Sequence, residues 1–161
     1  MTPGASTGSF RDPSGRLFTS DGRLYRQVNA CYAANYDCLM QSGLYRTLAD
    51  QSLLVPHAEI VEPLGWPETR YKILEPDLIP FISYPFEWSF SQLKQAALAT
   101  LRIQRLAVGR GMTLKDASAY NIQFKGTSPI LIDTLSFNRQ SIGQQIQRAQ
   151  RQPRNVEDRA G

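Results

Sequence analysis

One apolar run in this chain ends on a single acid: Pro129-Ile130-Leu131-Ile132-Asp133. A carboxylate at the end of a buried strand is costly unless something pairs with it. The run therefore predicts both a strand and a partner for Asp133, either nearby backbone N–H groups or Lys115. Upstream, a loop of small and polar residues carries Asp116 and Asn121 five positions apart. Ile122-Gln123-Phe124 follows as a short strand pattern and Lys125-Gly126-Thr127 as a turn, and then comes the apolar run. Two Asp and one Asn converging from a loop and a strand end offer hard oxygen ligands suited to a magnesium ion.

Phosphoryl transfer uses such an arrangement, with one Asp near the substrate hydroxyl and an Asn and a second Asp on magnesium. Lys115-Asp116, Asn121 and Ile132-Asp133 resemble the catalytic loop and metal-binding Asp of the protein-kinase and aminoglycoside-phosphotransferase superfamily. The pattern there is H-x-D-x-x-x-x-N, then an apolar strand ending in D. The resemblance implies that Asp116 matches the catalytic Asp. It also implies that Asn121 and Asp133 match the magnesium ligands, with Lys115 beside them at the cofactor. Leu114 stands where that superfamily has His, and Thr134-Leu135 where protein kinases have Phe-Gly. The alternative, from the residues alone, is an α+β domain in which Asp116 and Asn121 cap a turn and Asp133 ends a strand.

A second resemblance covers Gly8 to Phe137. The stretches Gly22–Asn29, Ile79–Pro85, Ser89–Lys94 and Leu114–Asn121 are similar to the N-terminal part of a group of bacterial class I SAM-dependent methyltransferases. In that group the chain continues into a methyltransferase domain. The resemblance implies SAM as the cofactor of the full-length family. It implies as partner a methyltransferase domain, downstream or separate, and makes this chain a truncated accessory region. No glycine-rich strand-to-helix turn of the kind that holds SAM or a dinucleotide occurs in the sequence. The chain alone is accordingly expected to bind no SAM.

At 161 residues, 42% of them hydrophobic, the chain suits one domain with a real core. No apolar run reaches the length of a membrane span, and Met1–Ser9 has no signal-peptide core. A cytoplasmic protein is expected. Cys31 and Cys38 lie two helical turns apart and read as two buried thiols. His57 is the only histidine, which excludes a His-rich metal site, and it reads as a satisfied or surface residue of a connector. The net charge of +4 is concentrated after Phe137, where five Arg face two acids. That Gln/Arg-rich stretch lacks aromatics for base stacking. No nucleic-acid or membrane partner is expected.

Along the chain, Asp21-Gly22 between β-favouring runs predicts a hairpin over Leu17–Val28. Arg26 is the nearest basic residue to the strand Lys of a kinase-like lobe, and no Glu occurs between Asn29 and Gln51 to pair with it. Asn29 is positioned to cap a helix carrying Tyr32, Tyr36, Leu39 and Met40, which ends at Gly43. A second helix is expected over Leu44–Leu54, then strands over Ala58–Glu62, Tyr71–Leu74 and Ile79–Tyr84. Pro85–Trp88 reads as a hinge closed by aromatic packing. Ser89 with Gln92 forms a capping box for a long helix over Ser91–Val108. Its apolar stripe is Phe90, Leu93, Ala97, Leu101 and Val108, interrupted by Gln104.

The expected fold class is α+β, a protein-kinase-like core with a small antiparallel sheet lobe and the start of a helical lobe. Residues 1–9 are expected to be disordered, 10–137 to form the domain, and 138–161 to be a disordered basic tail. Alone, such a chain is expected to be a non-catalytic, pseudokinase-like binding module. The alternative is an ATP/Mg-dependent small-molecule phosphotransferase, the one reading in which Mg-ATP is a cofactor.

Overall fold

The computed structural model describes residues 4–5, 12–141 and 143. Within them the fold is mixed α/β, with an antiparallel sheet of order β1-β2-β3-β5-β4 and three α-helices. Strand β1 is Gly4–Ala5, β2 Gly15–Ser20 and β3 Arg23–Asn29. The β2–β3 turn is Asp21-Gly22, both at positive φ (49° and 75°), the primed geometry that matches strand twist. Helices α1 (Ala33–Gln41) and α2 (Leu44–Asp50) follow, broken by Gly43 at φ 72°. The chain then returns to the sheet as β4 (His57–Ile60) and β5 (Arg70–Pro76). A connector leads to α3 (Phe90–Gly109), capped by the reciprocal Ser89/Gln92 box. Four short strands complete the described fold: β6 (Met112–Leu114), β7 (Ile122–Lys125), β8 (Ser128–Leu131) and β9 (Phe137–Arg139). They pair antiparallel as β6–β9 and β7–β8, the latter a hairpin around Gly126 at φ 64°.

Side-chain alternation on β3 sorts the two faces of the sheet. Tyr25 points to the side where Phe18, Ile73 and Trp66 pack. Val28 points to the other side, against Tyr32, Tyr36, Leu74 and Leu135. The largest cluster joins Leu39, Leu44, Leu48 and Leu54 to Ile103, Met112, Ile122, Leu131 and Phe137. It welds α1 and α2 to α3 and the short strands. Backbone bonds reinforce this junction: Leu131 N–H donates to Leu53 O, and Val55 N–H to Leu131 O, both at 2.9 Å.

Several local expectations need correction. Ile79–Tyr84 is not a strand. Pro80 has no N–H to give a ladder, and Ser83 is held by the buried Gln123 amide, through both its N–H and its carbonyl. Helix α2 stops at Asp50 because Ser52 turns left-handed (φ 53°) and Leu53 N–H closes onto Leu48 O. The Asn29 side chain caps no helix; it bonds Pro13 O and the Gln27 amide. His57 opens a strand instead of sitting in a connector. Cys31 is exposed and Cys38 half-buried, both free. In the hinge, Trp88 packs edge-on against Phe124 and donates to Ser83 Oγ, whereas Phe86 is exposed.

The α3 stripe is also turned around. The face that packs inward is Ala96, Ala99, Ile103 and Ala107. Phe90, Leu93, Ala97 and Leu101 point outward. Gln104, which interrupts the stripe, latches β6: it donates to Thr113 Oγ1 and accepts from Leu114 N–H.

Strand β9 carries the folded part past Phe137, to Arg139. Gly4–Ala5 pair with β2 against the expected disorder of residues 1–9, and Gln140 N–H donates to Gly111 O; the expected disorder of residues 1–3, 6–9, 142 and 144–161 lies outside the described residues. Among the described residues no helix is long and apolar enough to cross a membrane.

Candidate functional site

The Asp133 carboxylate sits just past β8, opposite the sheet. Its Oδ1 accepts from Arg26 Nη2 at 2.9 Å and from Leu135 N–H at 3.1 Å, and its Oδ2 from Ser136 Oγ–H at 3.1 Å. The two charged side chains are only 13% and 20% exposed, so this ion pair is largely withdrawn from water. Arg26 reaches it because β3 alternation puts Arg26 on the same face as Val28. Backbone capture of Asp133 follows the expectation from sequence, but the cationic partner is Arg26 and not Lys115.

Lys115 is engaged elsewhere. Its ammonium donates to Ser14 Oγ at 2.7 Å, lies 3.3 Å from both Asp12 carboxylate oxygens, and sits over the Tyr32 ring. Burial alone would raise the Asp12 carboxyl. The Ser14 N–H and hydroxyl and the Lys115 charge outweigh it and hold the group below its ordinary value. Tyr32 in turn hydrogen-bonds the Phe137 backbone. Lys115 thus pins the segment before β2 to the loop after β6.

Asp116 is exposed, and its Oδ1 accepts from Ser118 N–H at 2.9 Å in an Asx turn. Ser118 Oγ then caps a single turn of 3₁₀ helix, Ala119–Asn121. Asn121 is tied by its backbone on both sides: its N–H donates to Ser118 O and its carbonyl accepts from Ile132 N–H. The loop and the strand end are therefore bonded directly to each other. Among the described residues, the buried Asn121 Nδ2 and Arg26 Nε find no hydrogen-bond partner.

These residues share one cleft of about 290 Å³, lined by Arg26, His57, Asp116, Asn121, Asp133 and Thr134, among others. Asp116, Asn121 and Asp133 are thus brought together, and Lys115 is not part of the lining. His57 was not foreseen there. Its Nε2 lies 3.1 Å from Tyr36 Oη, its Nδ1 lies 3.5 Å from Thr134 Oγ1, and the Tyr45 ring is 4.4 Å away. Tyr36 donates onward to Glu59, which Lys72 also bonds. With the Tyr36 proton committed to Glu59, His57 donates from Nε2 and accepts at Nδ1 as a neutral ring. Burial drops its pKa to about 4, against a smaller opposing pull from Glu59. No local sequence signal marks this placement, since it depends on three separate elements meeting.

The chain matches no model of a known protein family. It is similar to the nodulation protein NoeA of Rhizobium meliloti (strain 1021), 38% identical over 144 residues that make up 88% of this chain. The match spans only 30% of the length of that relative.

Proposed function

We propose that this chain is the accessory, N-terminal region of a longer SAM-dependent methyltransferase-like protein, and that its kinase-like core serves as a non-catalytic binding module. The element order supports a kinase-like reading. A small antiparallel sheet interrupted by helices leads through a hinge to a long helix. A loop bearing Asp116 and Asn121 follows, then a hairpin ending on Asp133. The observation that carries the non-catalytic reading is the state of Asp133. Both its oxygens are already used, and a guanidinium stands where a dication would have to come. Magnesium at this position competes with Arg26 for one carboxylate and meets its charge at close range, and displacing Arg26 leaves a largely buried cation without its partner, which is strongly unfavourable. The donor set as folded holds structure together. The methyl-transfer chemistry, and the SAM site with it, belong to the portion of the longer protein outside this chain.

One observation favours the phosphotransferase alternative: Asp116, Asn121 and Asp133 do line a single cleft, with the Asn121 amide unbonded through Nδ2. Denaturation of wild type and Asp133→Ala, each with and without Mg-ATP, separates the two. The expected outcome is a loss of about 2–3 kcal/mol in the variant, because Arg26 and the Leu135 N–H lose their acceptor, and no shift with Mg-ATP in either protein. Equal stability of the two free proteins, with an ATP shift confined to wild type, establishes the alternative instead. Calorimetry with SAM is expected to be silent; a stoichiometric micromolar site refutes the accessory reading.

A further inference from the structure

Helix α3 is apolar on two sides. Its inward face is made of small residues, Ala96, Ala99 and Ala107 around Ile103. The large side chains are on the outside: Phe90 is 81% exposed, Leu101 65% and Leu98 55%, with Leu93 beside them. The stripe Phe90, Leu93, Ala97, Leu101 has regular helical spacing. Upstream, the exposed Phe86 extends the same chemistry along the chain. Lys94 and Arg105 are exposed on the same outward side, between the stripe and Leu98, and add positive charge to it. Large apolar side chains gathered on the exposed side of one helix mark an interaction site. The chain itself supplies only the inner cover among its described residues. More than two thirds of the length of the rhizobial relative lies outside the match.

We infer that the outer face of α3 is the surface on which the remainder of the longer protein docks. The occupant is the portion of the polypeptide corresponding to the unmatched part of the relative, presenting apolar side chains with acidic groups set among them against Lys94 and Arg105. The inference rests on the reading of this chain as one region of a longer protein, and it does not depend on what the cleft holds. Leu98 supplies a second anchor point, since it also lines a groove between α3 and the end of α2.

The test is co-expression of the tagged 161-residue chain with the unmatched portion of the rhizobial protein, followed by co-purification and light scattering. Wild type is expected to retain that portion in a one-to-one complex. Leu93→Glu/Leu101→Glu is expected to lose it at least tenfold while melting at the wild-type temperature, because both side chains are exposed. Leu98→Arg serves as an independent variant on the same face, with the same loss expected. Three results overturn the inference: equal recovery with wild type and variants, no recovery with either, or a homodimer of this chain that the same substitutions abolish, which assigns the face to a second copy. A Mg-ATP shift with docking intact removes the non-catalytic reading alone. A wild-type chain that retains nothing, with a cleft silent to Mg-ATP, removes only the present inference.

Discussion

The neutral His57 ring receives a hydrogen bond at Nδ1 from Thr134, donates one at Nε2 to Tyr36, and lies against Tyr45. A proton added at Nδ1 would meet a hydroxyl that is already donating, inside a site that burial makes unfavourable for charge. Among the described residues Glu59 is the carboxylate that pulls on the ring, and it is itself held by Lys72 and Tyr36. The folded pKa of about 4 lies below the ordinary histidine value of 6.5. The sign follows: the contribution is present above 6.5 and is lost as pH falls toward the folded value, because the unfolded chain takes the proton first. Between about pH 7.5 and about pH 5 the loss is on the order of 2 kcal/mol. Glu59 and Asp12 have pKa values below their ordinary 4.5 and 3.8, so their contributions come off at lower pH. Urea denaturation across that window is expected to show the slope in wild type and a nearly flat line in His57→Gln. Parallel slopes in the two proteins count against the assignment.

Two elements meet most tightly at Gly15, at the start of β2. A Cβ there would lie 2.1 Å from the Gln27 carbonyl oxygen and 2.6 Å from Leu135 Cδ1. The first atom is backbone and the second belongs to a fully buried side chain, so neither can yield cheaply. Gly15→Ala is expected to cost about 2–3 kcal/mol, at the upper end for overpacking. Gly109→Ala, at the end of α3 with open space around it, is expected to be neutral or slightly stabilising. Chemical denaturation of both variants checks the contrast, and equal midpoints would remove it. Features of this second kind could be read from sequence: the Asp21-Gly22 turn, the Gly43 break and the Ser89/Gln92 box are set by neighbours within a few residues. The Gly15 approach could not, since its partners are more than ten residues away and 120 residues away. For the same reason the sequence points from Asp133 to Lys115, 18 residues away, whereas the topology brings up Arg26, 107 residues away. The α3 periodicity was legible and its direction was not. Periodicity states that a face is apolar, and only the packing of Ile103 and its alanine neighbours decides which face turns inward.

At the scale of the whole molecule the question is whether the sheet and the α3 half fold as one unit. The largest core answers it physically, because Leu39, Leu44, Leu48 and Leu54 come from the first half and Ile103, Met112, Ile122 and Leu131 from the second. Neither half can close that core alone. The Arg26–Asp133 pair and the Leu53–Leu131 backbone bonds cross the same boundary. The two tryptophans stand on opposite sides of it. Trp66 packs against Phe18 on the far face of the sheet, and Trp88 against Phe124 beside β7. Single-tryptophan proteins, Trp66→Phe and Trp88→Phe, each report one side. In each, the fluorescence midpoint in urea is expected to coincide with the midpoint from far-ultraviolet circular dichroism, as two-state unfolding requires. Leu48→Ala, at the centre of the shared core, is expected to lower both midpoints together, by about 3 kcal/mol of stability. If Trp88 reports unfolding at lower urea than Trp66, with Leu48→Ala moving only one of them, the two halves are independent. The sheet would then be the folding unit, with the cleft between them free to open and close.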